Sequence, residues 1–83
     1  MSKIIKESGY RELSHIVQTD DGKMYLVDSN YTEDCGYETM AFKWDDKKDA
    51  VVNYLDVYVE HYRTWYDMEH GHEWVCSHLE EVL

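Results

Sequence analysis

The sequence predicts an α+β fold in which an antiparallel sheet of three to four strands packs against one C-terminal helix. Three observations carry this expectation: apolar and polar residues alternate with period two before residue 45, an Asp-Gly turn separates two such runs, and an apolar stripe recurs at steps of three and four after Thr64. Glu12–Gln18 and Lys23–Asp28 flank Asp20-Asp21-Gly22 and read as the first two strands of a tight hairpin. The polar run Ser29–Gly36 reads as a connecting loop. Tyr37–Trp44 reads as a third strand, with Met40, Phe42 and Trp44 on one apolar face.

Tyr54–Tyr62 admits two readings. Leu55, Val57 and Val59 fall on one strand face, and Tyr54, Asp56, Tyr58, Glu60 and Tyr62 on the other. Val51, Leu55, Tyr58, Tyr62 and Trp65 also match helical spacing, so a three-stranded sheet followed by one long helix from about Asp46, or by two shorter helices, competes. The strand is preferred because Val, Tyr and Thr favour strands over helices. Thr64 is a good N-cap, with Asp67 three residues on as in a capping box. Trp65, Met68, His72, Val75, Leu79 and Val82 then form one stripe, which should pack on the sheet. Gly71 inside this helix costs about 1 kcal/mol relative to alanine and marks either close packing or a bend.

Eighty-three residues, 43% of them hydrophobic and none proline, suffice for one acidic α+β domain spanning residues 1–83. No stretch approaches the roughly 20 apolar residues of a membrane span, and the first residues lack a secretory signal, so a cytoplasmic location is expected. Of the two cysteines, Cys76 reads as a small core residue and Cys35 as a loop residue.

Charge is the most informative feature. Eighteen acids against eight bases give a formal charge of −10, which repels nucleic acid and anionic membranes. Residues 1–48 contribute −3, whereas residues 49–83 hold eight acids against Arg63 alone and contribute −7. In Tyr54–Tyr62 the acids alternate with phenols, a pattern that imitates the phosphates and stacking surfaces of nucleic acid and suits a basic groove on a partner protein. The expected partner-binding residues are Asp56, Tyr58, Glu60, Tyr62, Asp67, Glu69 and Glu73. A solvated acidic face that only aids solubility is the plainer reading of the same charges.

His61, His70, His72, Cys76 and His78 all lie in the last third of the chain, and His72 and Cys76 stand four apart on a helix. Zinc needs three or four ligands, and helical geometry turns His70 and His78 away, so no metal and no cofactor are expected. His72 then reads as lining the edge of the core. No phosphate loop, nucleophile elbow or isolated carboxylate pair marks an enzyme.

Gly36-Tyr37-Glu38-Thr39-Met40-Ala41-Phe42, Leu55-Asp56-Val57 and Gly71-His72-Glu73-Trp74-Val75 resemble small uncharacterised proteins of phages and prophages of Gram-positive bacteria, over about residues 24 to 80. The chain departs from their pattern in Lys47-Lys48 and in its denser Tyr, Trp and His content. The resemblance implies a host-takeover or anti-defence setting, anti-CRISPR activity included, in which a small acidic protein blocks a host nucleic-acid-binding protein by occupying its basic surface as a DNA mimic. A self-associating accessory protein, dimeric through the tyrosine face, is the competing expectation.

Overall fold

The computed structural model describes all residues 1–83. Six strands and one helix follow in the order β1 (Lys3–Glu7), β2 (Ser14–Gln18), β3 (Met24–Thr32), β4 (Gly36–Asp45), β5 (Ala50–Val51), β6 (Tyr58–Tyr62) and α1 (Trp65–Val82). The strands form one antiparallel sheet in which β1 to β4 are neighbours in chain order, and β5 and β6 both pair with β4. β5 takes the Trp44–Asp45 end of β4, and β6 takes Tyr37–Ala41. The α+β class is as expected, but six strands replace the expected three to four.

The differences have local causes. β1 lies outside every strand expected from the sequence because its side chains are exposed, leaving no apolar alternation to read. Ser29–Thr32 belongs to β3 and not to a loop: the period-two pattern continues through polar residues, and the buried Ser29 points inward. The β3–β4 turn shrinks to residues 33–35, with Gly36 at φ 72°. Of the expected Tyr54–Tyr62 strand only Tyr58–Tyr62 forms one, residues 54–57 lying in the irregular connection from β5, and no helix spans Asp46 onward, so β-propensity prevails over the helical spacing in the second half alone. Gly22, at φ 85°, supplies the left-handed backbone of the β2–β3 turn, and its N–H donates to the Thr19 carbonyl at 2.9 Å.

Strand alternation divides the core between two faces. On one face Val17, Tyr25, Val27 and Ala41 meet Val75, Cys76 and Leu79 of α1, with Val57, Tyr58 and Val82 at the margin. On the other, Ile16, Leu26, Phe42 and Trp44 cluster with Met24, Met40 and Val51. α1 therefore covers the Thr39–Ala41 face of β4 and not the bulkier Met40–Phe42–Trp44 face. Small side chains there let a helix approach the sheet.

Thr64 caps α1 as its sequence suggests, its Oγ1 accepting the Asp67 N–H at 3.1 Å. Met68, His72, Val75 and Leu79 of the expected stripe are buried, together with Cys76, while Trp65 at the first turn stays exposed. Gly71 marks close packing: a β-carbon there would stand 2.3 to 2.5 Å from the Tyr62 ring. A kink falls further on, at His78 (φ −129°, ψ 26°). Ser2 enters the helix at this point, its buried Oγ donating to the Cys76 carbonyl at 2.7 Å and accepting the Leu79 N–H at 2.9 Å. A side chain inserted into the backbone ladder is a recognised cause of a kink. No helix is long and apolar enough to cross a membrane.

Candidate functional site

Three places in the molecule concentrate chemistry. The first is the acidic surface anticipated from the sequence. Asp56, Glu60, Asp67, Glu69 and Glu73 are all exposed, whereas Tyr58 and Tyr62 are half-buried. Tyr58, Glu60 and Tyr62 share one face of β6, as the alternation requires, but it is the face toward α1. Tyr62 lies against Gly71, and Tyr58 packs at the edge of the core. Burial, reinforced by Glu60, pushes the Tyr58 hydroxyl up to about 12, and that hydroxyl donates to Glu60 Oε2 at 3.1 Å.

The two flanks of α1 divide the remaining acids. At about 3.6 residues per turn, Asp67 shares the Gly71 flank, toward β6, while Glu69 and Glu73 share the flank of Cys76 and Glu80. That second flank faces the β2–β3 turn, where Glu80 Oε2 accepts the Asp20 N–H at 2.7 Å. The seven expected residues thus wrap around the helix and do not form one strand face. On the outer side of α1 the accessible aromatics are Tyr66 and Trp74, at 67% and 47% exposure; Tyr54, ahead of β6, is also exposed. Sequence reasoning missed both helix residues. Tyr66 lies off the apolar stripe, and so does Trp74, which was a usable signal. Each stacks near a histidine one turn on: Tyr66 against His70 with centroids 4.2 Å apart, and Trp74 against His78 at 4.5 Å.

None of Asp56, Glu60, Asp67, Glu69 and Glu73 is paired with a cation. In the sheet, by contrast, Asp46 binds Lys6 at 3.0 Å, Asp28 binds Arg11 at 3.2 Å, Glu38 lies 3.3 Å from His61, and Asp20 holds the N-terminal amine. Glu7, Glu12, Glu33, Asp34 and Asp45 are unpaired as well, while on α1 Glu80 lies 3.6 Å from the N-terminal amine and Glu81 3.9 Å from His78.

The second place lies beneath α1. His15 of β2 and His72 of α1 meet with Nδ1 and Nε2 2.8 Å apart, and His72 Nδ1 is 2.6 Å from Ser29 Oγ, itself 2.6 Å from Thr39 Oγ1. Two sets of tautomers satisfy this chain: His15 Nδ1–H donates to His72 Nε2 while His72 Nδ1–H donates to Ser29, or His72 Nε2–H donates to His15 Nδ1 while the Ser29 hydroxyl donates to His72 Nδ1. Burial, with a smaller push from His15, lowers His72 to about 4, so the ring is neutral. Cys76 Sγ adjoins the pair, all three ligand atoms lying within 4.8 Å of one another. Burial, then the Glu73 carboxylate, pushes the thiol up to about 12. His72 does line the core, as expected. His15 is the member the sequence could not supply, since 57 positions separate it from His72 and only β2 pairing beneath the helix brings them together.

The third place is a groove of about 410 Å³ on the sheet face away from α1, bordered by Tyr10, Arg11, Leu26, Met40, Phe42 and Tyr54. Asp28 lies in it, with Oδ2 held by Arg11 and Oδ1 buried without a hydrogen-bond partner. A buried orphan acceptor of this kind is uncommon in folded proteins.

Comparison with protein-family models, with curated proteins and with solved structures finds no match to this chain.

Proposed function

We propose that this is a small acidic binding protein of phage type that inhibits a host protein by occupying its basic, nucleic-acid-binding surface. The observation that carries the reading is the set of five exposed carboxylates, Asp56, Glu60, Asp67, Glu69 and Glu73, none of which is neutralised by an internal cation. An exposed ion pair contributes about 0–1 kcal/mol, so intramolecular pairing is no great loss to the fold; unpaired charge is instead available to steer a basic partner. Tyr66 and Trp74 add flat apolar area on the outer side of the helix, between the two acidic flanks, and are of the residue types that anchor interfaces.

Such binding depends on salt. Affinity for the captured partner should fall steeply between low and high ionic strength, and Glu60→Lys, Glu69→Lys and Glu73→Lys together should weaken it by more than about tenfold. An affinity that is indifferent to both would remove the reading.

The edge position of β6 favours one alternative, self-association. β6 pairs only with β4, and Val59 is 40% exposed beside the exposed Tyr54 and Leu55, so a second copy could add a strand there. Light scattering on Tyr58→Ala separates the two readings, since a dimer built on that edge should dissociate and an inhibitor's partner affinity should persist.

A further inference from the structure

The cluster beneath α1 combines the donors of a soft, tetrahedral metal site, and we propose that His15, His72 and Cys76 bind one zinc ion that ties β2 to α1. The inference is independent of the inhibitory reading above. Sequence alone offers only His72 and Cys76, one helical turn apart, and two ligands do not make a zinc site. The fold adds His15 from a different element, and the three ligand atoms converge within 4.8 Å of one another.

Orientation supports the assignment more than proximity does. His72 Nδ1 is hydrogen-bonded to the buried Ser29 Oγ at 2.6 Å, which fixes the ring and, with the proton on Nδ1, leaves Nε2 as the ligating atom. Ser29 is in turn held by Thr39 at 2.6 Å. A histidine whose second nitrogen is anchored in this way is the usual outer-shell arrangement of a metal ligand. Helix packing buries Cys76 and His72 and leaves His15 partly exposed, so the cluster opens to solvent on the β2 side.

Tetrahedral zinc, with bonds of about 2.0–2.1 Å to nitrogen and 2.3 Å to sulfur, places its ligand atoms about 3.4–3.6 Å apart. The two imidazole nitrogens, now at 2.8 Å, would therefore separate by roughly half an ångström, within the reach of a side-chain adjustment. In the bound form His15 carries its proton on Nε2 and His72 on Nδ1, which frees the facing nitrogens to ligate, and the Cys76 S–H bond gives way to S–Zn with release of the proton to solvent. Water completes the coordination from the open β2 side. Two imidazoles and a thiolate suit zinc better than magnesium or calcium, which require oxygen ligands.

The test uses the full, untagged chain. Cobalt(II) titration of chelator-treated protein should give one equivalent per chain, with thiolate-to-cobalt charge-transfer absorption and a tetrahedral visible spectrum, and zinc should displace the cobalt. Cys76→Ser should abolish the charge-transfer band. His15→Gln, at a partly exposed position where the fold should survive as judged by circular dichroism, should weaken zinc by at least about tenfold, and Ser29→Ala by about 10–100-fold through the loss of the His72 anchor. Zinc should raise the melting temperature of the parent chain and not that of His15→Gln. Absence of a thiolate band, or zinc affinity unchanged in folded His15→Gln, would overturn the site and leave the chain of His15, His72, Ser29 and Thr39 as a closed hydrogen-bond network.

Discussion

The two faces of the sheet are sealed in different ways. One lies under a continuous helix, whose Val75, Cys76 and Leu79 complete a cluster of seven buried residues. The other has four buried residues and is closed by loops: Tyr10 meets Trp44 edge-on at 6.4 Å, Tyr54 meets Phe42 at 6.2 Å, and Lys6 reaches across to Asp46 at 3.0 Å. Tyr10 and Tyr54 are 55% and 82% exposed, so the second seal is thin. The helix face also holds most of the buried polar chemistry, from Thr39 through Ser29 to His72 and from Ser2 to the helix kink, whereas the loop-sealed face carries Asp28 and the buried Ser14, which accepts from Ser8 at 2.6 Å. A face under a fixed helix can satisfy buried polar groups, because rigid backbone holds their partners in place.

Substitutions can break or sharpen that contrast. Leu79 is fully buried under α1, so Leu79→Ala should cost about 2–5 kcal/mol in chemical denaturation. A loss no larger than that of a surface substitution would mean that the helix is not the principal seal.

Ser2→Ala should cost about 1–3 kcal/mol, since it leaves the Leu79 N–H and the Cys76 carbonyl without their shared partner at a buried kink. Faster amide exchange at Leu79 would locate the loss there.

Gly71 gives a smaller effect whose sign is diagnostic. Gly71→Ala gains about 1 kcal/mol in helix propensity but drives a methyl into the Tyr62 ring, and overpacking costs about 1–3 kcal/mol. The substitution should be neutral to destabilising in the parent chain and stabilising by about 1 kcal/mol in a Tyr62→Ala background. Equal effects in both backgrounds would deny the close approach of α1 to β6.

The smallest effect belongs to the loop seal. Tyr54→Ala should change stability by less than about 0.5 kcal/mol, because its ring lies mostly in solvent. A larger loss would show that the loops bear as much of the fold as the helix does.

Regular elements with strong local signals were legible in the sequence. The Thr64 cap, the stripe of Met68, His72, Val75 and Leu79 and the Asp-Gly turn appear where residue types and spacing place them, and the strand expected over Tyr54–Tyr62 forms in its second half, Tyr58–Tyr62. β1 and the polar end of β3 were not, because an exposed edge strand has no apolar face and Ser29–Thr32 carries the residue types of a loop. The acidic character of residues 49–83 was legible too, but not its arrangement. Alternation put Tyr58 and Tyr62 on one side of a strand without saying that this side faces the helix.

Composition and periodicity by themselves determined the class of the fold, the extent of the helix and the surplus of negative charge, since each depends on neighbours within a few residues along the chain. Tertiary structure alone decided which face of β4 the helix covers, which phenols are withdrawn from the surface, and that His15 meets His72 and Cys76. Those outcomes depend on contacts between segments dozens of residues apart. Strand order and steric fit at small residues such as Ala41 and Gly71 set them, and no local pattern encodes that fit.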